Sequence, residues 1–212
     1  MIVAIVDYGA GNLRSAEKAL AFAADDHGAR VLVTADPEDL RTADKIVLPG
    51  VGAFADCKRG LDALPGMVEA LEEQVLMAGK PFLGICVGMQ LMAEIGIEFG
   101  ETKGLGWIKG RVVVLDPADR TLRIPQMGWN DLQLKTPDHP VLGATRTGDH
   151  AYFVHSYHFV AARPQDVMAE VDYGGPVTAM IGRDNLVGVQ FHPEKSQHVG
   201  LRMLSRFLAW RP

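Results

Sequence analysis

Lys80-Pro81-Phe82-Leu83-Gly84-Ile85-Cys86-Val87-Gly88-Met89-Gln90 is the stretch on which the reading of this chain turns. Phe82 to Ile85 is a short apolar run suited to a buried strand, and Gln90 to Ile95 reads as a helix. Between them, Gly84-Ile85-Cys86-Val87-Gly88 has the form Gly-x-Cys-x-Gly, the thiol counterpart of the Gly-x-Ser-x-Gly elbow. A nucleophile on a sharp strand-to-helix turn needs small residues two positions to either side. A Cβ there would strike the strand or block the substrate. The turn sets Cys86 at the start of a helix, where unpaired N–H groups face the sulfur, and aims the Val87 N–H at any oxyanion formed beside it. Alone, a cysteine in an apolar run reads equally as a small buried hydrophobe, so the rest of the chain must decide.

Upstream of the elbow, the β-branched run Ile2 to Val6 suits a strand buried on both faces. The loop Gly9-Ala10-Gly11-Asn12 follows, then Leu13, Ala16, Leu20 and Ala23 at helical spacing. Arg14 occupies the place where a dinucleotide fingerprint needs its third glycine, so that reading is set aside. Arg30 to Thr34 and Asp44 to Leu48 read as further strands, the second running into Pro49-Gly50-Val51-Gly52. Leu61, Leu64, Val68, Leu71 and Val75 mark a helix with Pro65 in its first turn. The order β-α-β-β-α-β-α predicts an α/β fold with a mostly parallel central sheet flanked by helices. After about residue 105, short strand candidates alternate with Gly, Pro and Asp turns (107–115, 131–134, 151–160, 167–173, 177–181 and 186–191). They predict an antiparallel portion added in the C-terminal half. Val199, Met203, Phe207 and Leu208 then predict a closing helix. With no repeat or flexible linker, residues 1–212 are expected to form a single domain.

Composition narrows the function classes. Hydrophobic content is 48% and charged content 22%, the balance of a soluble globular protein. The net charge of −5 and the absence of a charged tail imply no broad nucleic-acid surface. No apolar run approaches the ~20 residues that span a membrane, and Asp7 comes too soon after the N-terminus for a signal peptide. Two cysteines, Cys57 and Cys86, make no disulfide framework, and nothing around Cys57 resembles an activating site. The expected location is the cytoplasm.

Three pieces can join Cys86. A thiol nucleophile needs a base near neutral pH, and that base needs a carboxylate to fix its orientation. Gln190-Phe191-His192-Pro193-Glu194 offers both at the end of an apolar strand, with Pro193 stiffening the link. His155 and His158 compete for the role of base, because Tyr152 to His158 also reads as a strand end. Pro49-Gly50-Val51-Gly52 ends another strand, and its glycines let backbone N–H groups approach a ligand, so that with Val87 it could form an oxyanion hole. Gln90, one turn past Cys86, has an amide that can donate and accept, which suits a substrate bearing an amide or α-amino acid group.

In this order the pieces resemble the triad-type, class I glutamine amidotransferases, whose signatures are matched by Gly84-x-Cys86-x-Gly88-x-Gln90 and His192-Pro193-Glu194. The resemblance spans nearly the whole chain. It includes Asp7 to Asn12, Leu48 to Phe54, Phe153 to Tyr157 and Gln190 to Ser196. Met89 and the Met127-Gly128-Trp129-Asn130 block point to the branch that serves a (β/α)8-barrel cyclase. The resemblance implies a flavodoxin-like amidotransferase fold and hydrolysis of L-glutamine to glutamate and ammonia. Cys86 would be the nucleophile, His192 the base and Glu194 its orienter. It further implies an oxyanion hole from Val51 and Val87, and glutamine contacts from Gly52, Gln90, Ser156 and Tyr157. Asn12, Lys18, Met127, Trp129, Tyr152 and Lys195 match positions at or near the cyclase-facing surface of a heterodimer. Read from the residues alone, Met127 and Trp129 suit core packing better. No cofactor, metal, nucleic acid or membrane is implied. Gln126 stands where the family leads one to expect His, and is expected to alter a contact near the partner surface. A glutaminase serving another synthase and a cysteine hydrolase of the same fold remain alternatives, as does a non-catalytic scaffold.

Overall fold

The computed structural model describes all residues from Met1 to Pro212. In chain order it runs β1 (Ile2–Val6), α1 (Leu13–Asp25), β2 (Arg30–Thr34), α2 (Pro37–Thr42), β3 (Lys45–Gly50), α3 (Phe54–Asp62) and α4 (Met67–Leu71). A π-helix over Glu72–Met77 continues α4. Next come β4 (Phe82–Cys86), α5 (Val87–Gln90), β5 (Ile95–Ile97), β6 (Glu101–Lys103), β7 (Gly110–Val114), β8 (Gln126–Asp131) and β9 (Gln133–Leu134). The chain ends with β10 (His150–His155), β11 (Tyr157–Ala161), β12 (Val167–Asp172), β13 (Pro176–Arg183), β14 (Leu186–Val189) and α6 (Gln197–Ala209).

The main sheet has the order β2-β1-β3-β4-β14-β13-β12-β9. Its first five strands run parallel, and β13, β12 and β9 extend it antiparallel. This is the α/β fold with an antiparallel addition that the strand pattern predicts. β1, β4 and β14 are apolar along their whole length because both faces of the sheet are covered; every residue of β4 is buried. β10 and β8 form a separate pair, and β11, β7, β5 and β6 a small second sheet. Helix α1 buries Ala16, Ala19, Leu20, Ala23 and Ala24 on one stripe, which lets it lie close against the sheet.

Several local expectations differ from the structure, among them 151–160, which is two strands, β10 and β11, in different sheets. The helix read over Gln90 to Ile95 is α5, only four residues long, and the chain then turns and enters β5 at Ile95. Its residues are buried on all sides, so apolar spacing could not separate a helix from a packed turn. Leu61, read as the first residue of the stripe, belongs to a separate helix, α3, near its C-terminal end. Pro65 precedes α4, and Gly66, in the left-handed region at φ 74, starts it. Helix α2 has no apolar stripe beyond Leu40 and is instead set by its Asp36 cap, whose side chain accepts from the Glu38 N–H, with Pro37 at the first helical position.

Parallel strands β3, β4 and β14 bring their C-terminal ends to one edge. Gly50 pairs with Cys86, and Val189 with Ile85, so the oxyanion-loop candidate, the elbow and the start of Gln190-Phe191-His192 lie side by side. This is the edge of a parallel sheet where ligands bind.

Candidate active site

Cys86 sits at φ 53, ψ −112, a backbone conformation that costs a non-glycine residue energy and persists only where its surroundings fix it. The surroundings do so. A Cβ on Gly84 would lie 2.7 Å from the Gly88 carbonyl oxygen, and one on Gly88 would collide with the carbonyl of Leu48. Both flanking glycines are therefore demanded by packing, as the elbow reading requires. With only four residues in α5, a long helix dipole does not act on the sulfur. Its polar neighbour is Gln190, whose Nε2 donates to Sγ at 3.6 Å.

In the sequence Gln190 is no more than part of a motif, yet its orientation in the fold is determined. Gln90 Nε2 donates to the Tyr157 carbonyl and to Gln190 Oε1, both at 3.0 Å. A backbone carbonyl only accepts, so the Gln90 amide has one orientation. Gln190 must then turn its oxygen to Gln90 and its nitrogen to Cys86. The expectation that Gln90 offers a substrate both a donor and an acceptor is corrected here: its donors are occupied and its Oε1 is what remains.

His192 is held through its backbone and its ring. Its N–H donates to the Tyr152 carbonyl at 2.9 Å, and its own carbonyl accepts from Ser196 Oγ at 2.7 Å. Ser196 Oγ in turn accepts from the Tyr152 N–H at 2.9 Å. His192 Nδ1 meets Glu194 Oε1 at 2.7 Å, and both side chains are almost fully enclosed. Nε2 is buried without a hydrogen-bond partner, leaving it free for the sulfur or a substrate. Burial opposes the charged imidazole, but the Cys86 sulfur and the Glu194 carboxylate outweigh it and push the ring up to about 9. Burial likewise opposes the Glu194 carboxylate, while His192 and then Asn12 hold it below its ordinary range.

Asn12 Nδ2 donates to Glu194 Oε1 at 2.6 Å. Expected only at a partner surface, Asn12 also completes the chain Asn12–Glu194–His192. It can reach there because it adopts φ 64 ahead of α1, a left-handed conformation that asparagine tolerates.

His155, the competing base, is removed from contention by its own contacts. Nδ1 lies 2.9 Å from the Tyr157 carbonyl and Nε2 3.1 Å from Gln126 Oε1, and burial pushes the ring down to about 4. Gln126 is buried beneath His155, opposite it across β8 and β10, and the contact its identity sets is with that ring. Gln126 Nε2 has no partner. Turned end for end, that amide donates to His155 Nε2, and the neutral ring donates from Nδ1 to Tyr157.

Cys86, His192, Val51, Val87, Gly52, Gln90, Ser156 and Tyr157 line one open cavity of about 820 Å³, with Asn12 and Lys195 at its edge. Met127 and Trp129 are 65% and 47% exposed, which corrects the core-packing alternative for both. Trp129 stands edge-on to Tyr152, whose ring lies under Lys195 Nζ at 5.7 Å. Lys18 is exposed on α1.

The family description "Glutamine amidotransferase class-I" matches residues 5–209. The chain is 58% identical to the imidazole glycerol phosphate synthase subunit HisH of Rhodospirillum rubrum, with all of both chains covered. It is likewise 58% identical to the subunit of that name from Rhizobium meliloti over all of both chains. A crystal structure of a glutamine amidotransferase superposes with a TM-score of 0.72 at 17% identity, covering 99% of this chain and 98% of the other. A glutamine amidotransferase from Thermotoga maritima gives 0.66 at 16% identity, with 92% of this chain and 76% of the other covered. At such identities the likeness is one of fold.

Proposed function

Because this chain belongs to the class-I glutamine amidotransferase family, we propose that the cavity at the elbow hydrolyses L-glutamine, with Cys86, His192 and Glu194 as its triad. The chain is the glutamine amidotransferase subunit of an imidazole glycerol phosphate synthase and acts in histidine biosynthesis. Full-length identity of 58% to subunits of that name supports this. The observation that carries the chemistry is the convergence of a strained cysteine and a His192–Glu194 pair on one cavity.

His192 Nε2 takes the proton of the Cys86 thiol, and Sγ attacks the side-chain amide carbon of glutamine. The carbonyl oxygen becomes an oxyanion, met by the N–H groups of Val87 and Val51. As the C–N bond breaks, His192 gives its proton from Nε2 to the departing nitrogen, and ammonia leaves behind a glutamyl thioester. A water then attacks the thioester carbon while His192 takes its proton. The C–S bond breaks, glutamate departs, and His192 returns the proton to the sulfur, restoring the thiol. Glu194 holds Nδ1–H throughout, so Nε2 always faces the reaction. Gly52, the Gln90 oxygen, and the backbone at Ser156 and Tyr157 hold the amino acid end of the substrate.

The partner is a (β/α)8-barrel cyclase that uses the ammonia to close an imidazole ring. Supporting a docking face beside the cavity are the exposed Met127 and Trp129, the Lys195–Tyr152 stack, Asn12 and Lys18. No helix is long and apolar enough to cross a membrane, and the cytoplasm is the compartment proposed.

Glycine-flanked peptide units turn at low cost, so the Val51 N–H can leave and enter the oxyanion site. We expect the isolated chain to be a poor glutaminase. Ammonia release should rise about a hundredfold or more when the cyclase and its nucleotide are added, the cost of one missing oxyanion donor. Full activity in the free chain, or a complex indifferent to the nucleotide, would contradict this.

A further inference from the structure

Behind the loop that presents Val51, two buried donors hold the carbonyls on either side of it. Tyr8 Oη donates to the Pro49 carbonyl at 2.7 Å. Cys57 Sγ donates to the Val51 carbonyl at 3.4 Å. Both side chains are buried. Burial, followed by the neighbouring Cys57 thiol, raises the Tyr8 hydroxyl far above its ordinary range, and burial also pushes the Cys57 thiol up. Each therefore keeps its proton, and remains a donor, across the working pH range.

The two carbonyls belong to different peptide units. That of Pro49 lies before Gly50, and that of Val51 lies after Val51. A peptide unit reorients by opposite changes in the ψ before it and the φ after it while its neighbours stay in place. Pinning both neighbours leaves only the Gly50–Val51 unit free, and that unit carries the Val51 N–H. On the side of Gly50 where a side chain would stand, the space is closed. A Cβ on Gly50 would lie 2.6 Å from Tyr8 Oη and 2.9 Å from the Gly88 nitrogen, so the Tyr8 hydroxyl and the elbow both pack against Gly50. Tyr8 is itself held by α3, where a Cβ on Gly60 would lie 2.6 Å from its carbonyl oxygen.

We propose that Tyr8 and Cys57 are positioning residues for the oxyanion hole, fixing the two peptide units that flank Gly50–Val51 so that the Val51 N–H swings as a single element against a fixed Cys86. This rests on the assignment of Val51 as an oxyanion donor in glutamine hydrolysis. Neither side chain touches substrate. An oxyanion exists only in the transition state and intermediates, so loosening its donor lowers kcat and spares KM.

The test uses the complex of this chain with its cyclase and nucleotide. Tyr8→Phe removes one hydroxyl and keeps the ring. Its kcat for glutamine should fall about tenfold, a fraction of the 10²–10³ that a wholly lost donor costs, with KM within about twofold. Cys57→Ala should lower kcat in the same way, and Cys57→Ser, which keeps a donor, should recover most of it. Alkylation of Cys86 by iodoacetamide, located by peptide mapping, needs no oxyanion and should proceed at the wild-type rate in all three. A Tyr8→Phe kcat within about twofold of wild type would overturn the proposal. So would kcat and alkylation falling together, since Tyr8 would then only support packing. A wild-type complex that hydrolyses no glutamine would overturn the glutaminase reading with it, whereas an active wild type and an equally active Tyr8→Phe would sink the clamp alone.

Discussion

Cys86→Ala is expected to lower glutamine hydrolysis by roughly 10⁴-fold or more, the scale on which a covalent triad loses its nucleophile. The substitution removes one sulfur from a residue that is already buried and leaves the glycines at positions 84 and 88 in place. The fold and the surface carrying Met127 and Trp129 should survive. Far-UV and near-UV circular dichroism should match wild type, and the complex with the cyclase should form with unchanged affinity. Alanine also tolerates φ 53 no better than cysteine, so the elbow keeps its strain. Glutaminase activity within about tenfold of wild type would remove Cys86 from the mechanism.

His192→Ala should cost about as much as Cys86→Ala, because base and nucleophile act as one unit. Glu194→Ala should cost less, about 10²-fold, since an orienting carboxylate is the cheaper member to lose. Asn12→Ala should cost less again, as it removes one of two hydrogen bonds to Glu194 Oε1. The ring also gives the protein a pH dependence. His192 is raised from 6.5 to about 9, so the stability it contributes is complete below the lower value and is lost as pH rises through the higher. Wild-type Tm should therefore fall across that window more than the Tm of His192→Ala. The acylation step should slow above about 9, where the proton destined for ammonia is gone. An active His192→Ala beside an inactive His155→Ala would redraw the triad.

The parts of this architecture that sequence reveals are those encoded by neighbours. Ile2–Val6 and Phe82–Cys86 are strands because continuous apolar runs fit a sheet covered on both faces. The elbow is legible because its glycines are required within two residues of Cys86. His192 and Glu194 are legible because Pro193 separates them at a strand end. What escaped is encoded across distance. Asn12 meets Glu194 and Gln90 meets Gln190 only after β1, β4 and β14 align at one sheet edge. No local signal marks Tyr8 or Cys57 for this role until the fold brings them behind Pro49 and Val51. The exposure of Met127 and Trp129 was legible only through the family resemblance, since an apolar residue on a short strand reads the same facing a core or facing a partner. Helices α2 and α3 did carry local signals, the Asp36-Pro37 start in one and Phe54, Cys57 and Leu61 at helical spacing in the other. Dense charge around those positions masked both.

The central claim is that the sulfur of Cys86 bonds to the side-chain carbon of glutamine. The most direct measurement is to mix the complex with isotopically labelled L-glutamine, quench it in acid during turnover, and determine by mass spectrometry which peptide carries the label. The expected result is one labile glutamyl group on the peptide containing Cys86, absent from Cys86→Ala and removed by hydroxylamine. Turnover with no labelled peptide, or with the label on Cys57 or a histidine, would contradict it.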